Sequence, residues 1–353
     1  MAGAAAQARV DRVSAAPTAA VSPRIAVLVP CRNEAVAVGR VVADFRAALP
    51  RATVYVYDNG STDDTGAIAR EAGAVVRREE QPGKGGVVRR MFAEVEADVY
   101  VLVDGDATYD ASRAPDLIAR LVDDGLDMVT AVREHDDPTA YRRGHAFGNR
   151  MLNALLGMLF GHQPADMLSG YRVFSRRFVK SFPAQSRRFE IETETTVHAL
   201  EMRVPMAEVP TRYLARPAGS SSKLHTYRDG ARIVVAMALL FRDVKPLLFF
   251  SWLTAALAAV GLVLGAEVVL EFMHTGLVRR LPTAVLATGL MLLAALSLAA
   301  GVILGSVARG RLEAKRLAYL AVPPPAAPPV QEGPSTRPLN VTSSNTATPS
   351  AWR

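Results

Sequence analysis

Val99-Tyr100-Val101-Leu102-Val103-Asp104-Gly105-Asp106 joins an uninterrupted apolar run to two carboxylates separated by one residue. A run with no polar alternation is what a strand buried on both faces requires, and such strands belong to parallel sheets covered by helices. Asp104 and Asp106 then stand at the strand's carboxyl end, where an open α/β sheet places its ligands. Two carboxylates so spaced can hold a hard divalent cation, which in turn can neutralise a diphosphate. Acidic-x-acidic triplets also occur at Glu94/Glu96, Glu190/Glu192 and Glu192/Glu194, so the preceding strand is what sets Asp104 and Asp106 apart.

The flanking sequence repeats the pattern. Residues 25–29 form a short apolar run ended by Pro30, and 35–49 carry helical periodicity. Residues 53–57 give a second strand, ended by Asp58-Asn59-Gly60-Ser61. Residues 65–72 give a helix stopped by Gly73, and 74–76 a third short strand. Helices over 86–97 and 114–122 flank the acidic strand, and 127–132 is a further strand. This alternation predicts an α/β fold with a mostly parallel sheet covered on both faces. Farther on the pattern loosens into a helix over 146–160, a strand over 169–174, a helix over 191–202 and an extended segment over 204–213. Strand ends line up along one sheet edge, so residues 30–34, 58–61 and 104–106 are expected to converge in one cleft. Glu34 and Asp58 there suit a base or ribose, or else serve as turn and cap residues, and Asp63 and Asp64 are placed to cap the following helix.

Half of the 353 residues are hydrophobic (50%), and the excess is concentrated in 247–270 and 283–307. Each can cross a hydrocarbon core about 30 Å thick as a helix, whereas core helices need runs of only about 10–14 apolar residues. The expectation is a transmembrane hairpin. Before it, 226–242 place Ile233, Val234, Met237, Leu240 and Phe241 on one stripe, with Arg228 and Arg232 one turn apart. That stripe suits an amphipathic core helix or one lying at a membrane surface, and adjacency to the first span favours the surface.

Residues 1–24 hold no continuous apolar segment of signal-peptide length, so the large domain is expected in the cytoplasm, where the single Cys31 fits a reducing compartment. Arg242 and Lys245 before the first span, with Arg309, Arg311, Lys315 and Arg316 after the second, place both ends on the cytoplasmic side; Arg279 and Arg280 in the connecting loop count against this. The formal net charge is +7, with Arg212, Arg216, Lys223, Arg228, Arg232, Arg242 and Lys245 gathered near the apolar segments. Anionic headgroups or a lipid phosphate suit that distribution better than nucleic acid, for which an aromatic-studded basic stripe is missing. The six histidines show no zinc spacing.

Gly83-Lys84-Gly85-Gly86 is neither a Walker A loop nor a dinucleotide fingerprint. Arg78 and Gly85 occupy the positions where a Walker A needs Gly and Ser or Thr, and Val88 that of the third glycine of the fingerprint. Lys84 is left to touch a phosphate or to be a solvated loop lysine. In order along the chain stand Val29-Pro30-x-x-Asn33-Glu34, Asp58-Asn59-Gly60-Ser61-x-Asp63, Gly83-Lys84-Gly85, Asp104-Gly105-Asp106, Ser169-Gly170-Tyr171-Arg172, Phe189-Glu190-Ile191-Glu192 and Arg216-x-x-Gly219-x-Ser221-Ser222-Lys223. This series resembles glycosyltransferase family 2. Within it the series is similar to the polyprenyl-phosphate glycosyltransferases, a group that includes dolichyl-phosphate mannose synthases and bacterial enzymes charging undecaprenyl phosphate with a hexose.

The resemblance implies a GT-A (Rossmann-like) catalytic domain over 24–215, a juxtamembrane segment over 216–246 with an amphipathic interfacial helix, and a two-helix hairpin over 247–308; the terminal segments over 1–23 and 309–353 are expected to be largely disordered, since beyond Val322 the Pro-, Ser- and Thr-rich sequence cannot bury a core. It implies a UDP- or GDP-hexose donor, Mg²⁺ or Mn²⁺ on Asp104 and Asp106, and catalytic roles for both with Arg216 and Lys223. Pro30, Asn33, Glu34, Asp58, Asn59, Ser61, Lys84 and Asp104 would surround the donor. Arg133, Arg142, Arg143, Ser221 and Ser222 would hold the acceptor phosphate, and Glu192 would orient the acceptor or an arginine. Thr108 departs from the further polar metal-side residue common in dolichyl-phosphate mannose synthases.

Gln185-x-x-Arg188-Phe189 resembles the product-binding motif of processive polysaccharide synthases, but it precedes Glu190 and Glu192 where that motif would follow them. The implied reaction is inverting transfer of one sugar to a polyprenyl phosphate, undecaprenyl phosphate foremost, at the inner (cytoplasmic) membrane. A lipid phosphate is already an anionic nucleophile, so the protein's task is to hold two anions together. The alternatives are transfer to a glycan or other hydroxyl, which needs a general base, and a non-catalytic adaptor that binds the nucleotide-sugar. Gly261 and Gly265, four apart, could pair hairpins in a homo-oligomer.

Overall fold

Strands β1 (Ile25–Cys31), β2 (Thr53–Asp58), β3 (Val75–Arg78), β4 (Val99–Leu102), β5 (Met128–Glu134), β6 (Arg172–Ser175) and β7 (Met206–Arg212) form one sheet in the order β3-β2-β1-β4-β6-β5-β7. The structure is a computed structural model that describes residues 23–134, 153–154, 156–157, 161, 164–184, 190–217, 235 and 238–324. β1 pairs in parallel with β2 and β4, β2 with β3, and β5 with β7. Among the described strands β6 alone runs antiparallel, inserted between β4 and β5. The sheet is therefore mostly parallel, as the alternation of elements predicts, with a reversal that local patterning does not reveal.

The helices are α1 (Val38–Ala48), α2 (Thr65–Glu71), α3 (Lys84–Glu94), α4 (Ala114–Asp123), α5 (Arg176–Ser181), α6 (Ile191–Met202), α7 (Pro246–Thr275) and α8 (Leu281–Leu320). Alternate residues of the apolar runs enter two separate cores. Val27, Val29, Val99 and Val101 pack with Val38, Val42 and Phe45 of α1 and Leu117 and Leu121 of α4. Ala26, Leu28, Tyr100 and Leu102 pack with Val88 and Met91 of α3, Phe178 of α5 and Ile191 of α6. Every residue of β4 is buried, which is why its sequence is apolar without alternation.

α7 and α8 contain 30 and 40 residues and are long and apolar enough to cross a membrane. They pack on each other along small residues. A Cβ on Gly301 would stand 2.8 Å from Cβ of Phe250, and one on Gly261 3.3 Å from Cβ of Leu290, so both glycines admit the neighbouring helix. Gly265 faces Ala287. Gly261, Gly265 and Gly301 thus serve the contact within one hairpin. α8 continues as helix to Leu320, past residue 307 where the apolar span expected from the sequence ends. Its continuation is held by packing: Leu312 and Tyr319 lie against the second core, and Lys315 Nζ is 2.6 Å from Glu201 Oε2.

Of the amphipathic stripe, Ile233, Val234, Met237, Arg228 and Arg232 lie outside the described residues. Residues 238–244 are helical, with Leu240 packed against Leu156, Met167 and Val197 of the large domain while Leu239 is exposed. Most of the helix expected over 146–160 also lies outside the described residues.

Candidate active site

The register of β1 places Cys31 beside Asp58 of β2 and Leu28 beside Leu102 of β4, so the three polar loops leave the sheet at one edge. The first two are laced together. Asn33, at φ +51°, donates its backbone N–H to Ser61 Oγ (2.9 Å) and accepts from Thr62 N (2.8 Å) through Oδ1. Glu34 N donates to Thr65 Oγ1 (2.8 Å), Ala35 N to Asp63 Oδ2 (3.2 Å) and Ser61 N to Asp58 Oδ1 (2.8 Å). Asp63 also accepts from Thr65 N (3.1 Å) in an Asx turn, while Asp64, the N-cap of α2, makes no side-chain capping bond, so the capping expected of this pair is not made. Asn33, Ser61 and Asp58 thus shape the cleft before any ligand is considered. Pro30 pairs opposite Tyr57 near the end of β1, and Glu34 is buried.

Asn59 organises the third side. Its Nδ2 donates to Glu79 O (3.0 Å) and Gln81 O (2.7 Å), and its Oδ1 accepts from Gly83 N (2.7 Å). Gly83, at φ +130°, then turns the chain into α3, whose first residue is Lys84. Lys84 is neither a solvated loop lysine nor open to a phosphate. Its Nζ is 2.5 Å from Asp104 Oδ1 and also bonds Glu192 Oε1, a residue on α6 that lies 108 positions away in sequence. Burial opposes the Lys84 charge, but Asp104 and Glu192 outweigh it and hold the ammonium well above its usual pKa. Burial raises the Glu192 carboxyl, Lys84 draws it back, and Glu192 Oε2 has no partner among the described residues.

Asp106 is buried. Its Oδ1 accepts from Thr108 N (3.2 Å) and Thr108 Oγ1 (2.6 Å), and its Oδ2 is 2.5 Å from Arg216 Nη2. Burial and the neighbouring Asp104 charge raise its pKa, while Thr108 and Arg216 oppose the rise. Thr108, noted in the sequence as a departure, is a holder of Asp106, and an Asp-x-Thr turn is the local signal for it. Arg216 reaches the site because Tyr213 and Leu214 are fixed by Tyr213 N to Glu134 O (3.0 Å) and Leu214 N to Thr108 O (2.8 Å).

Two glycines of the motifs are required by close approach. A Cβ on Gly105 would stand 2.3 Å from Cys31 Sγ, and one on Gly170 would stand 2.3 Å from Asp104 Oδ2. Gly170 N donates to Tyr109 Oη (2.8 Å), which fixes the backbone against which Asp104 lies. Next to Gly170, Arg172 is buried in the sheet. It donates to Ser169 O (3.0 Å), Met167 O (2.6 Å) and the hydroxyls of Thr195 and Thr196 (2.8 Å each). Those hydroxyls in turn donate to Glu192 O at 2.9 and 3.0 Å, so Arg172 holds the turn of α6 that presents Glu192.

Arg133, expected at the acceptor phosphate, is held by Asp166. Its Nε and Nη2 form a bidentate pair with Asp166 (2.6 and 2.8 Å), and its guanidinium lies 5.5 Å from the Tyr213 ring centroid. Two of its five N–H donors are thereby matched to that carboxylate. Arg142, Arg143, Ser221, Ser222 and Lys223 lie outside the described residues.

Among the described residues no group of three or more His, Cys, Asp or Glu is arranged to hold a metal. The pair Asp104 and Asp106 still fits Mg²⁺ or Mn²⁺, hard cations that accept one or two protein carboxylates and complete their shell with phosphates and water. The structure shows the demand for positive charge directly: each carboxylate is drawn to a cationic side chain, Asp104 to Lys84 and Asp106 to Arg216.

A mostly parallel sheet with polar loops and an acidic pair at its carboxyl edge is the architecture of the GT-A type. The chain belongs to glycosyl transferase family 2, whose model matches residues 26–182. Glycosyltransferase AglJ of Haloferax volcanii is 35% identical over 250 residues, 70% of this chain and 82% of that protein. A dolichyl-phosphate hexose transferase of the same organism is 30% identical over 210 residues, 59% of this chain and 90% of that one. Among solved structures, glucosyl-3-phosphoglycerate synthase of Mycobacterium tuberculosis, in complex with Mn²⁺, UDP and glucosyl-3-phosphoglycerate, has the same fold. Its TM-score is 0.53 at 22% identity, with 62% of this chain and 80% of that chain covered.

Proposed function

We propose that the protein transfers one hexose from a nucleotide diphosphate donor to a polyprenyl phosphate, with inversion, at the cytoplasmic face of a membrane crossed by α7 and α8. The observation that carries this reading is the joining of Asp104, Asp106, Lys84 and Arg216 at one sheet edge to two helices of membrane-spanning length. The name of the dolichyl-phosphate hexose transferase relative supports the lipid acceptor, and the Mn²⁺ and UDP of the fold neighbour support the donor and metal.

Asp104 and Asp106 would hold Mg²⁺ or Mn²⁺, which when bound supplies positive charge to the departing diphosphate. Asn33, Asp58 and Ser61 frame the nucleotide through the interlaced loops, while Asn59 fixes the approach of α3. Arg216, anchored by Asp106, brings a second cationic group to the phosphates. No general base is required, because a phosphate monoester is ionised at neutral pH and attacks the anomeric carbon as it stands. Glu192 is consistent with this: it is buried and bonded to the Lys84 ammonium, so it holds a structural charge. Transfer to a sugar hydroxyl would need a base free to accept a proton.

The test is incubation of the full chain with labelled UDP- and GDP-hexoses, polyprenyl phosphate and Mn²⁺, followed by lipid extraction. Label in the lipid phase that disappears with chelator or with Asp106→Asn is the expected result. Label appearing only on soluble hydroxyl acceptors would refute the lipid acceptor, and full activity of Asp106→Asn would refute the role of Asp106.

A further inference from the structure

Beyond residue 307 the helix α8 carries a second set of contacts that the transfer reaction does not use. Tyr319 Oη donates to Asp127 Oδ2 (2.6 Å), and Asp127 is completely buried. The same carboxylate accepts from Ser175 Oγ (2.6 Å) and pairs with Arg177 Nε (2.5 Å), while the Arg177 guanidinium lies 4.8 Å from the Tyr319 ring centroid. Burial and the bond to Asp127 both raise the Tyr319 pKa, so the phenol stays protonated and remains a donor. Four positions earlier, one helical turn, Lys315 bonds Glu201 at 2.6 Å in a half-buried setting.

Glu201 stands in the last turn of α6, and Glu192 in its first. α6 is buried along almost its whole length, so it has packed neighbours on every side and moves as a rigid body or not at all. One end of α6 therefore touches the continuation of the membrane helix, and the other end delivers a carboxylate to Lys84 and, through it, to Asp104.

We propose that Lys315 and Tyr319 are positioning residues: they dock the cytoplasmic end of α8 on Glu201 and Asp127 and thereby set the placement of α6 and of the Glu192–Lys84–Asp104 chain in the active site. The membrane anchor then acts as a strut that aligns the site. The inference rests on the functional reading above for its catalytic consequence, but its structural content does not.

The experiment uses the full chain in lipid nanodiscs and compares wild type, Tyr319→Phe, Lys315→Glu, Glu201→Lys and the charge-swapped pair Lys315→Glu/Glu201→Lys. Hydrogen exchange of the α6 amides is the first readout, and kcat and donor KM the second. Lys315→Glu and Tyr319→Phe should speed α6 exchange roughly tenfold, and the swapped pair should return it toward wild type. kcat should fall and recover in the same order, with donor KM within about twofold. Unchanged α6 exchange in both single variants, or no recovery in the swap, would overturn the proposal. If no acceptor supports transfer by any variant, the exchange result still decides the docking, and only the functional reading fails.

Discussion

Replacing Lys84 by Met keeps the reach of the side chain and removes the charge that stands between Asp104 and Glu192. The Lys84 and Glu192 side chains are 10% and 7% exposed, whereas Asp104 is 31% exposed and partly served by water. The loss therefore falls on Glu192. Deleting one member of a buried pair costs about 3–5 kcal/mol. Glu192 has an escape, because protonation removes the stranded charge. Neutralising a carboxyl of ordinary pKa at pH 7 costs about 3.5 kcal/mol, which caps the penalty there, and at pH 5 the cap falls to about 1 kcal/mol. For a domain of this size Lys84→Met should lower Tm by roughly 6–12 °C at pH 7 and by only about 2–4 °C at pH 5. Thermal unfolding of the full chain, followed by near-UV circular dichroism at both pH values, measures this. Lys84→Met/Glu192→Gln should recover about half of the loss at pH 7, since an amide needs no counter-charge, although it still needs hydrogen bonds. A single variant as stable as wild type at pH 7, or a loss that does not shrink at pH 5, would refute the account of the charge chain.

Gly105→Ala should destabilise by about 1–3 kcal/mol through the 2.3 Å approach to Cys31 Sγ, and Cys31→Ala in the same chain should restore it; absence of rescue in denaturant titration would show that the crowding lies elsewhere. Gly170→Ala displaces the Asp104 carboxylate by close contact and should lower kcat/KM about a hundredfold with little change in Tm, which steady-state transfer kinetics at saturating Mn²⁺ would check. Burial between Phe178 and Phe182 holds His198 neutral, with its pKa lowered from 6.5 to about 3, and Lys315 nearby acts in the same direction. Because the folded pKa lies below the unfolded one, stability present above pH 6.5 is lost as pH falls toward 3. His198→Leu should flatten the dependence of Tm on pH between 7 and 4, and parallel curves for the two proteins would count against it.

The parts of the fold that could be read from the sequence are those whose cause is local. Val99 to Leu102 is apolar throughout because both of its faces are buried, and that alone places Asp104 and Asp106 at a sheet edge. The convergence of the loops after β1, β2 and β4 follows from parallel pairing. What escaped the sequence depends on distant partners. The antiparallel insertion of β6 between β4 and β5 is a matter of neighbour choice, on which the residues of 172–175 are silent. Lys84 looked like a phosphate contact because the glycines around it are visible, whereas Glu192 becomes its neighbour only through the packing of α6. The pairing of Arg133 with Asp166 likewise joins residues distant in sequence. The continuation of α8 was lost to its charges, although Leu312, Lys315 and Tyr319 recur at helical spacing, and that pattern was available.

Gly301, Gly305, Ala308, Leu312, Lys315 and Tyr319 fall at alternating steps of four and three along α8, so one stripe faces α7 in its apolar half and the large domain in its polar half. The helix is unbroken between the two, and that makes angular phase a structural variable. One residue inserted after Ala308 would swing the Tyr319 side of the helix by about 100° and advance it by about 1.5 Å. Seven residues would restore the heading and lift the large domain by about 10 Å. On the membrane reading proposed above, heading and height above the bilayer are thus geared to each other by helix pitch, and a change in length is tolerated only in steps that return the stripe to register.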